Sequence, residues 1–152
     1  MSEPISFAST TPRLQLPNLF PAQAQKELTI NEAFALIDAL VHAVVEGEAD
    51  SPPPAPEDGE CWIVGDNPSG EWELYPATLA CRQAGVWLFA VPPKGMTAFD
   101  RSSGRAIRYL DGWQAAADVP PPAGGGTVDS EARAAIDGVI GALRSAGILA
   151  AA

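Results

Sequence analysis

Few side chains in this sequence could do covalent or acid–base chemistry, and their spacing is poor for it. His42 is the single histidine, so neither a metal site of ordinary histidine count nor a serine–histidine–aspartate set can be assembled around more than this one group. The short patterns that mark serine hydrolases, zinc proteases, dinucleotide folds and phosphate loops are all absent. Glu46, Glu48 and Asp50 offer oxygens to calcium, yet lack the glycine and distal glutamate that shape a calcium loop. The sequence thus implies no catalytic residue, no metal and no cofactor. What remains is aromatic. Of the four tryptophans, Trp62 and Trp87 sit inside apolar runs and read as core, whereas Trp72, between Glu71 and Glu73, and Trp113, beside Gly112, read as more exposed. With Glu71 and Asp111 as hydroxyl acceptors, Trp72 and Trp113 could stack on a sugar. Core or subunit packing is the competing reading, since large aromatics dominate interiors and interfaces alike.

The elements that would position these groups follow from periodicity. In Pro21 to His42, apolar residues Leu28, Ile30, Ala33, Phe34, Ile37, Leu40 and Val41 recur every three or four positions, which predicts a helix with one apolar face. Asn31 is its expected N-cap, Glu32 lies in its first turn, and the helix should reach about Val44, leaving Glu27 and Asp38 on polar flanks. Before it, 1–20 is rich in proline and serine and reads as an extended arm, with Leu14, Leu16, Leu19 and Phe20 as apolar docking residues. After it, Asp50 to Gly59 contains three consecutive prolines and reads as a stiff loop.

From Glu60 onward, short apolar runs alternate with turn residues. Cys61 to Val64, Thr78 to Gln83, Val86 to Val91, Thr97 to Arg101 and Ala106 to Leu110 each predict a strand, and their short connections favour antiparallel hairpins. Cys61 and Cys81 both fall in strands and read as buried free thiols. Val119 to Gly126 is a proline–glycine linker. Thr127 or Asp129 then caps a second helix that Gly147 ends. Along it Ala132, Ile136, Val139, Leu143 and Ala146 are spaced as a coiled-coil seam, for docking at home or for self-association. The expected fold is α+β: an amphipathic helix on a small antiparallel β-meander curled into a half-barrel, then a linker and a C-terminal helix. Its divisions are an arm (1–20), a helix-plus-meander domain (21–117), a linker (118–126) and an oligomerisation or docking helix (127–152).

With 152 residues and a formal charge of −10, the chain has room for a modest core and repels phosphate, so no nucleic-acid partner is expected. There is no apolar run long enough for membrane insertion and no leader pattern, so the expectation is a protein made in the cytoplasm. Glu46 to Glu73 is acidic throughout, whereas Lys94 to Arg108 carries Lys94, Arg101, Arg105 and Arg108 against Asp100 alone. Two such patches could meet between copies in a ring, or be solvated loops.

Several of these residues also form a pattern. Arg13-Leu14-x-Leu16-Pro17, Gln23-x-Gln25-Lys26-Glu27, Asn31-Glu32-Ala33 and Asp38-Ala39-Leu40-Val41, followed by Cys61-Trp62-Ile63-Val64-Gly65, Gly70-x-Trp72 and Gly85-Val86-Trp87, resemble a domain family of unknown function. That family occurs in prophage and gene-transfer-agent particles of alphaproteobacteria, in proteins described as tail fibres or head spikes. The resemblance covers roughly two thirds of the chain, and Glu73 to Pro76 departs from the usual glycine-containing turn. It implies a non-enzymatic virion component: the base or adaptor of a head spike or tail fibre, helping the particle attach to its host. The implied partners are capsid or tail proteins, a distal spike or fibre protein, and further copies in a cyclic homo-oligomer assembled in the bacterial cytoplasm. The alternative is a carbohydrate-binding module that recognises host polysaccharide through Trp72 and Trp113.

Overall fold

The computed structural model describes residues 10–13, 16, 18 and 26–150, and only the backbone of 26–29. Gln23, Gln25, Leu14, Leu19 and Phe20 lie outside the described residues. The fold is α+β, with two helices and two small sheets. The chain divides into two compact units, residues 1–92 and 93–152, a boundary that falls inside the stretch 21–117. The division falls at Pro92-Pro93, where neither residue can donate to a strand ladder.

In the first unit, helix α1 spans Lys26–Leu40. Asn31 therefore lies within the helix rather than capping it, and Lys26 and Glu27 form its first turn. It stops short of Val44 because His42 turns left-handed, with φ 51°, and the β-branched pair Val44–Val45 enters strand β1. The buried face is also not the expected one. Ala35, Asp38 and Ala39 are buried, while Ile37 and Val41 remain 46% and 43% exposed. Small residues let the helix approach strand β4 closely, and Asp38 is drawn inward by partners described below.

Strands β2 (Glu48–Ala49), β3 (Cys61–Val64), β4 (Leu79–Gln83) and β5 (Val86–Ala90) form a sheet in that order. β3, β4 and β5 are an antiparallel meander, but β2 runs parallel to β3. The proline-rich stretch Asp50 to Gly59 is the crossover this parallel pair requires. A Cβ at Gly65 would displace the Asp50 carboxylate, which accepts the Asn67 N–H. Alternation gives the sheet two apolar faces. Cys61, Ile63, Leu79, Cys81 and Leu88 share the face toward α1. Val64, Ala80, Trp62, Trp87 and Phe89 share the other, closed by Trp72 from a single 3-10 turn, Gly70–Trp72.

The second unit is thinner. β6 (Thr97–Asp100), β7 (Arg105–Tyr109) and β8 (Trp113–Ala115) are consecutive antiparallel strands, and β8 is additional to the strands expected from sequence. Helix α2 spans Ser130–Ser145, with the Asp129 carboxylate accepting the Ala132 N–H at 2.9 Å as N-cap. Past its end, Gly147 at φ 68° lets its own N–H and that of Ile148 reach the carbonyls of Arg144 and Leu143. Gly147 in turn accepts the Ala106 N–H at 2.6 Å, tying the helix end to β7 beside the short β8. The proline–glycine stretch is held rather than loose: the Arg133 guanidinium donates to the carbonyls of Pro122 and Gly124, and Arg105 to that of Ala116.

Candidate functional site

Arg13 and Asp38, 25 residues apart, meet at the end of α1. The last turn of any helix leaves carbonyls without partners. Here the Arg13 guanidinium donates to the carbonyls of Asp38, Ala39 and His42, placing a cation where the helix dipole is negative. The buried Asp38 carboxylate accepts the Thr11 hydroxyl at 2.9 Å and the Arg13 N–H at 2.9 Å. Leu16 closes the arm on itself, its N–H and C=O both bonding Thr11. Gly59 makes room for the same arm, since a Cβ there would come within 3.2 Å of Pro12. These residues act as a structural clasp, in which the Arg13 guanidinium and the Thr11 hydroxyl are engaged by backbone groups and by Asp38.

A groove of about 460 Å³ runs between α1 and the β4–β5 hairpin. Ala35, Val86 and Leu88 give it an apolar floor, and Asn31, Glu32 and Gln83 a polar rim. Asn31 and Glu32 are thus brought together here. The hairpin is closed by Ala84 and Gly85, both at positive φ, as its two-residue turn requires.

Of the two tryptophans singled out from sequence, Trp72 is the one the structure places in a core. Trp72 is wholly buried, packed edge-on against Trp87 with ring centroids 5.1 Å apart, and has no face for a sugar. Trp62 and Trp87, expected in the core, are only half-buried. Trp62 donates its indole N–H to Glu60 at 3.2 Å, Arg82 lies over the Trp87 ring, and Tyr75 stacks on Phe89 at 3.7 Å. Trp113 belongs to the other unit, half-buried against Tyr109. Glu71 is exposed, and Asp111 is engaged with Lys94 in an exposed ion pair at 3.1 Å, which contributes little to stability.

A family profile, described as protein of unknown function DUF2793, matches residues 30–114, more than half of the chain. The chain belongs to this family. No curated protein matches it. The DUF2793 region takes in most of α1, strands β1 to β7 and all but the last residue of β8, and leaves Arg13 and α2 outside.

Within that region Cys61 and Cys81 are joined as a disulfide, not left as free thiols. They are directly paired across β3 and β4 with Cα atoms 4.1 Å apart. The neighbouring ladder bonds fall at Arg82–Glu60 and Val64–Thr78, so this is a non-hydrogen-bonded pair, the kind whose side chains approach most closely. Count and spacing alone could not show it; aligning the two strands in register could.

On α2, Ile140 and not the predicted seam is the buried anchor, with Arg133, Leu143 and Arg144 half-buried beside it. Ala132, Ile136, Val139 and Ala146 are exposed, Ile136 at 45% and Val139 at 60%, and only Leu143 is shared between the two faces. The helix therefore docks through one face and presents the coiled-coil stripe on another. Charge separates the units too. Residues 1–92 contain thirteen acidic and three basic side chains, and residues 93–152 contain six of each, so all of the −10 net charge lies in the first unit.

Proposed function

We propose that this chain is a non-enzymatic structural component of a phage-like particle, the base or adaptor of a head spike or tail fibre that helps attach the particle to its host. The observation that carries this reading is α2, one face of which is anchored to its own unit while the Ile136–Val139 stripe is free for another protein. The motif residues Arg13 and Asp38 support it, because they are spent on holding the arm to the helix and not on substrate. In this reading the chain is assembled in the bacterial cytoplasm as a cyclic homo-oligomer between capsid or tail and a distal fibre protein. Polysaccharide binding by this chain itself is not favoured by the burial of Trp72.

The test is quantitative mass spectrometry of particles purified from the bacterium that carries the gene, with and without the gene. A fixed ratio to the major capsid or tail protein, and particles that adsorb poorly to cells without it, are the expected results. Absence from purified particles would remove the reading.

A further inference from the structure

The sheet of the first unit ends in β5, and among the described residues that edge strand carries no charge, proline or bulge to protect it. Val86–Ala90 reads Val-Trp-Leu-Phe-Ala, without charge or proline, and pairs one to one with β4, without a bulge. The ladder decides which backbone groups are left over. Arg82 donates to Glu60, and Val64 to Thr78, so residues 78, 80 and 82 direct their backbone groups toward β3. By alternation Leu79, Cys81 and Gln83 bond their partners Ala90, Leu88 and Val86. Trp87 and Phe89 are left with N–H and C=O pointing outward. Among the described residues, neither makes a backbone hydrogen bond elsewhere.

We propose that a second copy of this chain pairs on that edge, β5 antiparallel to β5, about a two-fold axis at Leu88. The strand is self-complementary in this register. Leu88, whose own backbone bonds are spent on β4, meets Leu88 of the second copy in a non-hydrogen-bonded pair. Each Trp87 exchanges both outward bonds with Phe89 of the other copy, so no outward group of β5 is left unmet. The same register sets aromatic side chains across from one another, a favourable cross-strand pairing. It also continues both apolar faces of the sheet into its symmetry mate, as an isologous interface requires. No charge lies on β5 itself, but the excess acid of the first unit makes two copies repel at longer range. Added salt therefore tightens this pairing. A ring held by opposed acidic and basic patches would loosen with salt, so the sign of the effect separates this inference from the particle reading, on which it does not rest.

The experiment is light scattering of the full chain over a range of concentration and salt, joined to residue-resolved hydrogen exchange. The expected result is a dimer that grows with both variables. The amides of Trp87 and Phe89 slow as it forms, while those of Val86, Leu88 and Ala90 are slow throughout. In the proposed register Val86 faces Ala90 of the second copy. The double variant Val86→Lys/Ala90→Lys then sets like charges across the axis and should weaken association by roughly tenfold, whereas Val86→Glu/Ala90→Lys should recover it. Thermal melts of both variants confirm that the unit is still folded. A monomer under all conditions, a dimer in which the Trp87 and Phe89 amides exchange as they do in the monomer, or two charge variants that associate alike would overturn the inference.

Discussion

The two units of this chain achieve order by different means. The first carries all the net charge and holds itself together against it with a plug, a bond and a clasp: Trp72 filling one face of the sheet, Cys61–Cys81 crossing the other, and Arg13 capping α1. The second is neutral and buries little beyond Ala98, Ile107, Ile140 and Leu149, relying on side-chain-to-backbone bonds from Arg105 and Arg133. A unit that buries so few apolar side chains yet leaves Phe99, Val128, Ile136 and Val139 exposed has surface to offer a partner.

The contrast can be broken most sharply at Trp72. Trp72→Ala should destabilise the first unit by about 3–5 kcal/mol, since it removes the largest wholly buried side chain and leaves a cavity. Denaturant unfolding followed by the fluorescence of the remaining tryptophans measures it, and a loss under about 1 kcal/mol would refute the plug. Reduction of the disulfide comes next, at about 3 kcal/mol for a loop of this size, acting on the first unit alone. Thiol titration of the unfolded, unreduced chain should find no free thiol.

Arg13→Ala should cost about 1–3 kcal/mol, since three helix-end carbonyls lose a charged donor. Hydrogen exchange should then rise at Val41, whose N–H closes the last turn of α1. Arg13→Lys, which cannot fork among three carbonyls, should recover only part of the loss.

How much of this was legible in the sequence differs between strands and helices. The strand runs, the N-cap Asp129 and the terminator Gly147 were readable, because turn residues and caps act locally. The helix faces were not. In α1 the periodic residues Ile37 and Val41 are exposed, and in α2 Ile136 and Val139 are, while burial goes to Ala35, Asp38, Ala39 and Ile140. Periodicity reveals an apolar stripe but not which partner it meets, and the buried Asp38 is met by Thr11 and Arg13 from far along the chain. The Cys61–Cys81 bond and the parallel β2–β3 pair are likewise matters of register, set by distant strands and absent from composition.

The smallest expected effect is on the β6–β7 turn of the second unit. Burial alone would raise the Asp100 carboxyl, but hydrogen bonds from the side chains and backbone of Ser103 and Ser102 outweigh it and hold the group below the ordinary carboxylate range. A depressed folded value means the turn is stabilised above the unfolded pKa and loses that support as pH falls through the folded one. Asp100→Asn should therefore be less stable than the parent at neutral pH, with the gap closing below about pH 4. Melting curves across pH would show whether it does; a gap that widens in acid would contradict the assignment.

The central claim is that the second unit offers α2 to the particle. It is tested most directly by expressing Ile136→Asp/Val139→Asp in place of the parent chain and measuring its abundance in purified particles. Both residues are exposed, so the variant should fold, with a melting temperature near that of the parent. The account predicts a folded protein that is missing from the particles. A folded variant incorporated at the parent's level would contradict it.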